Sequence, residues 1–288
     1  MDVLLPATLE EALEMKAARP EAVPIAGGTD LMVELNFDRR RPEVLMDVSR
    51  LEELRQWSRE NGSVFVGAGV TYTRLRQDLA AFTPLAQASR TVGSPQIRNR
   101  GTIGGNLATA SPAGDALPVL AAYDAEIVLT SQQGERTLPW NEFLTGPKRT
   151  ALRPDELILG ARWRVVRGGG SFSKIGTRNA MVIAVASLCL VLDEDGRTVR
   201  VALGSVGPGI LRAPQAEAFA AGRLHDAGAW ADPNVRVPDD VRREFGELVA
   251  AAAMPIDDVR GTAAYRRHAC RVMATRALTW ALAERTGI

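Results

Sequence analysis

The sequence predicts an α+β fold in two domains, and three observations predict it. Short apolar runs of strand length recur along the first part of the chain without settling into a repeating strand–helix–strand unit. Gly168-Gly169-Gly170 then interrupts the pattern and is the best linker in the sequence. Beyond it three successive strand-like runs are followed by three helical ones. With 288 residues the chain is long enough for two ordinary domains. Its 46% apolar and 24% charged residues place it among globular rather than disordered chains.

Taken in order, Thr8-Leu9-Glu10-Glu11 reads as a capping box, with the hydroxyl capping a helix and Glu11 reaching back. Leu9, Ala12, Leu13 and Ala17 continue it at helical spacing. Residues 22–26 form a short strand that runs into Gly27-Gly28-Thr29-Asp30, and residues 44–48 and 64–66 are further strands. Residues 71–79 read as a helix. The segment 93–112, rich in Gly, Ser, Asn and Pro, has no sustained periodicity and is expected to be loop. Residues 116–122 form a buried helix, and 126–130 and 157–165 are strands. After the triglycine come strands at 172–175, 184–192 and 199–204, with Asp193-Glu194-Asp195-Gly196 as a hairpin turn. Helices at 213–221, 241–253 and 262–285 complete the chain. The domains are thus expected at 1–167, with subdomains of about 1–55 and 56–167, and at 168–288.

Charge narrows the function. There are 35 basic and 34 acidic side chains, so the basic excess of a nucleic-acid binder is missing. Local runs such as Arg39-Arg40-Arg41 and Arg266-Arg267 are read as solvated faces or protein contacts. Cys189 and Cys270 lie far apart without CxxC spacing. Two cysteines cannot supply the four thiolates of an iron–sulfur cluster, and with only His225 and His268 a zinc site is not expected. No apolar run reaches membrane-spanning length and no basic-then-apolar leader opens the sequence, so the reading is a cytoplasmic protein.

Gly67-Ala68-Gly69 follows a strand and precedes a helix, which invites a dinucleotide-fold reading. The third glycine position is Tyr72, however, and no acidic residue follows about 20 positions on, so a tight strand-to-helix turn is preferred. No phosphate-binding GxxxxGK[ST] loop is present. Two other glycine pairs carry more. In Pro24-Ile25-Ala26-Gly27-Gly28-Thr29-Asp30-Leu31 a strand ends in two glycines, so the backbone can turn sharply and aim successive N–H groups into one concavity. Thr29 adds a hydroxyl; Asp30, a poor neighbour for phosphate, is expected to cap the next turn or point away. Thr102-Ile103-Gly104-Gly105-Asn106 repeats the device inside the polar segment, ahead of Ser111-Pro112 and Asp115, which opens a helix. Each pair alone is equally an ordinary glycine turn. Together they fit a dinucleotide whose diphosphate is held by main chain.

These segments resemble the FAD-binding subunit of the xanthine dehydrogenase and carbon monoxide dehydrogenase family of molybdenum hydroxylases. The resemblance covers nearly the whole chain. Val64-Phe65-Val66-Gly67-Ala68-Gly69-Val70-Thr71 is similar to the family's middle strand, Phe172-Ser173-Lys174-Ile175-Gly176-Thr177-Arg178 to the start of its C-terminal domain, and Tyr265-Arg266-Arg267-His268 to the opening of its last helix. It implies a two-part FAD-binding domain of the vanillyl-alcohol-oxidase (PCMH) type, then a smaller α+β domain with a three-stranded antiparallel sheet and helices. It implies non-covalent FAD, its diphosphate wrapped by Pro24–Leu31 and Thr102–Asn106, with Ser111, Asp115, Ile158 and Lys174 beside it. A small [2Fe-2S] subunit and a large molybdopterin subunit are the implied partners, as a dimer of heterotrimers. The chain departs from xanthine-oxidising members at Ala180-Met181-Val182-Ile183-Ala184-Val185, which lacks their acidic residues and extra lysine, so the final electron acceptor stays open. Val92 stands where animal members have an aromatic residue near the flavin, and that role is not carried over.

No Ser–His–Asp, Cys–His or paired-carboxylate arrangement suggests a shared catalytic site. His225, in a Gly- and Asp-containing loop, and His268, on a basic helix face, are not read as catalytic. That fits a protein whose chemistry belongs to its cofactor. A stand-alone flavin dehydrogenase or oxidase, a reductase acting on a UDP-sugar and a non-enzymatic nucleotide-binding scaffold are the competing readings.

Overall fold

The computed structural model describes residues 1–285, so the last three residues of the expected 168–288 domain lie outside it. The chain packs as two compact units that interleave in sequence. The first comprises residues 1–75, 94–111 and 124–164; the second comprises 76–93, 112–123 and the chain from Val165 onward.

Besides the short hairpin of Leu144–Gly146 with Arg149–Thr150, the first unit contains two sheets. In the smaller, the strands Asp2–Leu4 and Val23–Ile25 pair in parallel with the central strand Val44–Asp47. The helix Leu9–Ala18 begins as its sequence foretells. Thr8 Oγ1 accepts the Glu11 N–H at 3.2 Å, and the Glu11 carboxylate reaches back to the Ala7 N–H at 2.7 Å. Ala12, Ala22, Val44, Met46, Leu51, Leu54 and Leu157 form the core beneath it. The Lys16 ammonium is buried there, donates to the carbonyls of Pro20 and Ala22, and is held below its usual pKa by burial. The larger sheet is five-stranded and antiparallel, in the order Trp57–Glu60, Ser63–Gly67, Leu157–Arg164, Glu126–Ser131, Gly134–Pro139. Gly67-Ala68-Gly69 is the tight turn expected of it: a Cβ on Gly67 would lie 2.4 Å from the Leu54 carbonyl.

The second unit is built on an antiparallel sheet of Gly170–Ile175, Ala186–Asp193, Thr198–Gly204 and Leu211–Arg212. The sheet therefore has four strands rather than the expected three; the fourth is two residues long, too short to leave a periodic trace. Every residue of Ala186–Asp193 is buried, so the strand is covered on both faces. Ala186, Leu188, Leu190 and Leu192 pack with the helices Pro214–Asp226, Asp239–Ala252 and Ala263–Glu284. The helices Thr83–Thr91 and Ala116–Ala122 also lie against this sheet, which explains why Ala116–Ala122 has no polar side.

Three local expectations are corrected. Residues 93–112 are not a loop: they fold into Pro95–Arg100 and Ile103–Thr109, each started by a hydroxyl cap, Ser94 to the Ile97 N–H and Thr102 to the Gly105 N–H. Each is under two turns, which is too little for periodicity to register. The triglycine is no slack linker. A Cβ on Gly168 would lie 2.3 Å from the Leu192 carbonyl, and one on Gly169 would lie 1.9 Å from that of Ala281. His225 sits in the last turn of a helix instead of a loop. One long-range contact organises three segments of this unit: buried Arg266 donates to the carbonyls of Val185 and Ser205 and to the Asp258 carboxylate, at 2.7, 2.7 and 2.6 Å.

Candidate functional site

Within the first unit the two glycine segments come together. Gly27 lies where Val23–Ile25 leaves its sheet, and a Cβ there would fall 1.9 Å from the Arg100 carbonyl, so only glycine lets the turn lie against this helix end. Gly28 follows at φ +71°, in the left-handed region. Pro24 is exposed and Ile25 and Ala26 half-buried on the way in; half-buried Leu31 opens the helix Leu31–Asn36. Among the described residues, the N–H groups of Gly27, Gly28, Thr29, Asp30 and Leu31 make no hydrogen bond within the protein. Five adjacent donors on one turn are therefore available to an acceptor from outside the chain.

Asp30 occupies the helix N-cap position, but its carboxylate makes no cap bond. It accepts instead from the Thr109 hydroxyl at 2.9 Å, on the second glycine segment. Thr109 was not legible as part of the site, because no local pattern connects residues so far apart.

The second segment differs from its expected form. Its main-chain donors are already engaged: the Ile103 N–H to the Val70 carbonyl, Gly104 to Ala68, Gly105 to the Thr102 hydroxyl and Asn106 to the Thr102 carbonyl. The glycine at 104 serves packing, since a Cβ there would meet that of Ala68 at 2.5 Å. Gly105 is exposed, and its Cβ position meets only the Thr102 oxygen at 3.2 Å. The Asn106 Oδ1 is buried without a partner, an orphaned acceptor in a half-buried residue. Thus the first segment offers backbone donors, and the second a bare backbone surface and an amide side chain. That set suits a polyphosphate ester: N–H groups for its oxygens, and an Asn Oδ1 for a hydroxyl or amide donor beside them. Ser111 is half-buried at the end of this stretch. Ile158 is buried in the larger sheet, opposite Leu129 and next to the bulge at Leu159, whose carbonyl takes the Ala68 N–H.

Asp115 and Lys174 belong to the second unit, where they pair with one another. Both side chains are buried, and the Lys174 ammonium donates to the Asp115 carboxylate at 2.6 Å and to the Thr91 carbonyl at 3.2 Å. The Thr91 hydroxyl donates to the same carboxylate oxygen at 3.2 Å. Burial pushes the Asp115 pKa above its usual value, against the opposing pull of Lys174 and the hydrogen bonds. The other oxygen, Oδ1, is buried with no partner. Asp115 precedes Ala116–Ala122 without capping it.

Among the described residues no group of three or more His, Cys, Asp or Glu side chains could hold a metal, and no helix is long and apolar enough to cross a membrane. Both cysteines are buried. Burial raises the Cys270 thiol to about 12 and that of Cys189 beyond it.

Comparison with known proteins places these features. Residues 1–162 match the family described as the FAD binding domain in molybdopterin dehydrogenase, and residues 171–281 match the CO dehydrogenase flavoprotein C-terminal domain. The chain is 30% identical to the glyceraldehyde dehydrogenase medium chain of Sulfolobus acidocaldarius, over 94% of each. It is 33% identical to the nicotinate dehydrogenase FAD-subunit of Eubacterium barkeri, over 75% of this chain and 78% of that one. Its fold superposes on a chain of the carbon monoxide dehydrogenase from Hydrogenophaga pseudoflava with a TM-score of 0.88 at 29% identity, covering 98% and 97% of the two. Matched along both its halves in this way, the chain belongs to the family of FAD-binding subunits of the molybdenum hydroxylases, the oxidoreductases of xanthine and carbon monoxide dehydrogenase type.

Proposed function

We propose that FAD is held non-covalently with its diphosphate against the turn Pro24–Leu31, and with Thr102–Asn106 as the second wall. The observation that carries this is the run of five unengaged N–H groups from Gly27 to Leu31, together with the orphaned Asn106 oxygen on the helix whose Thr109 bonds Asp30. A diphosphate offers several strong acceptors and no donors, so it is the part of the cofactor that such a run suits. Bound FAD supplies the redox chemistry. The chain's own residues hold and orient it: Gly27 and Gly28 let main chain approach, the Thr29 hydroxyl adds a donor, and exposed Gly105 leaves room. Ser111 and Ile158 are proposed as further contacts, as are Asp115, through its unpartnered Oδ1, and Lys174, which holds that carboxylate in place.

The chain is the electron-transfer member of its complex. Its proposed partners are a small subunit carrying [2Fe-2S] clusters and a large molybdopterin subunit, in a cytoplasmic dimer of heterotrimers. Electrons enter from the clusters and leave to an external acceptor. Support for the division of labour comes from the two cysteines, too few for a cluster and both buried. The direct test is the absorption spectrum of the purified chain followed by acid precipitation. Flavin should be released into the supernatant and be identified there as FAD. Flavin left in the pellet, or FMN in its place, would refute the assignment.

A further inference from the structure

The second unit carries a charged cleft that the flavin reading does not use. It lies between the helices Asp239–Ala252 and Ala263–Glu284, has a volume of about 350 Å³ and is open to solvent. Arg242 and Arg243 line it from one helix, and Arg276 and Trp280, one turn apart, from the other. The charges are unevenly compensated. Arg242 is paired with Asp239 and donates to the Thr279 hydroxyl at 2.9 Å. Arg243 and Arg276 are exposed and, among the described residues, make no ion pair. The Trp280 ring, half exposed, stands beside them.

Two uncompensated guanidinium groups and an indole face are the side chains that bind other proteins most strongly when covered. Each guanidinium presents a planar fork that matches a carboxylate. The two come from different helices and the cleft is open, so the site suits extended chain spanning both positions better than one small anion enclosed by donors. We infer that an acidic segment of another protein chain docks here, its carboxylates on Arg243 and Arg276 and an apolar side chain against Trp280. The inference rests on the reading of this chain as one subunit of a multi-chain complex.

The test uses the full chain co-expressed with the other subunits of its complex and captured through a tag on this chain. Arg243→Glu/Arg276→Glu should lower the captured partner at least tenfold, and Trp280→Ala should lower it too, with flavin content and melting temperature as in the parent. Capture by the parent should weaken as salt is raised, because exposed charges are screened, while the double variant should respond little. Undiminished capture by the double variant overturns the inference. So does tight binding of inorganic phosphate by the parent that the double variant loses while capture is unchanged, since the cleft is then a small-anion site. A parent chain that captures no partner also overturns it, whereas the FAD assignment is judged separately by the flavin that the parent retains.

Discussion

Gly28 and Gly105 have different reasons to be glycine, and substitution should separate them. At Gly28 the backbone is left-handed, where a β-branched side chain is strained by roughly 1–3 kcal/mol. At Gly105 the backbone is helical and the Cβ position meets one atom, the Thr102 hydroxyl oxygen at 3.2 Å, so a side chain there chiefly blocks the surface offered to a ligand. Gly28→Val should therefore lose both stability and flavin, and Gly105→Val mainly flavin. Losing one or two hydrogen bonds to a charged group corresponds to tenfold or more in affinity, at about 1.5–3 kcal/mol each. Flavin-to-protein ratios after purification, with denaturant midpoints, give both readouts; full flavin in both variants rules out the diphosphate assignment. Lys174 allows a further test. Removing one partner of a buried ion pair costs about 3–5 kcal/mol, so Lys174→Met should be destabilised to that extent at neutral pH. Burial already raises the folded-state pKa of Asp115 above its unfolded value, and without Lys174 the rise is larger. A carboxyl raised on folding favours the protonated form, so its contribution to stability is full below the unfolded value and is lost as pH climbs through the folded one. The deficit of Lys174→Met relative to the parent should then shrink on acidification from pH 8 to pH 5, as read by melting temperature. A constant deficit would mean that the pair is not what the variant removes.

Among the elements, the helix Ile103–Thr109 shows what sequence reveals and what it withholds. Gly104 approaches Ala68 so closely that Gly104→Ala should overpack the contact and cost about 1–3 kcal/mol. Gly105→Ala, one residue on, should be nearly neutral. Urea midpoints of the two variants decide this, and equal losses would contradict the geometry. Both glycines read alike in the sequence, since composition does not tell which face a short helix turns inward. The sequence does not mark the helix itself, because Gly-Gly-Asn is a poor helix former and the stability comes from the Thr102 cap and tertiary contact. Longer elements were legible for the opposite reason. Ala186–Asp193 and Ala263–Glu284 carry enough residues for pattern to exceed local noise, and the capping box at Thr8–Glu11 forms within one residue of its expected partners. Of the candidate site, the first glycine pair was readable as a turn with free donors. The engaged amides of the second pair were not, because their acceptors at Ala68 and Val70 are distant in sequence.

For the molecule as a whole, the side chains with acid–base or thiol chemistry are engaged or packed away. The Asp30 carboxylate of the first glycine segment accepts from the Thr109 hydroxyl, and both cysteines are thiols in packed cores, raised by burial. The purified chain alone should therefore bind FAD yet leave it oxidised when a purine, aldehyde, carbon monoxide or N-heterocycle is added anaerobically. In the assembled complex the substrate of that complex should bleach the flavin band. Bleaching by such a substrate without partners would promote the chain to an independent dehydrogenase. Arg266 adds a different kind of consequence. One guanidinium fastens segments around residues 185, 205 and 258, so loosening any one of them breaks a bond that Arg266 makes. The loop from Gly176 to Val185, which exposes Met181 and Ile183, is thereby tethered to a helix whose inner face is buried along its length. Its breathing should share a single rate with the other two segments in hydrogen exchange, as three doors hung on one hinge pin swing together.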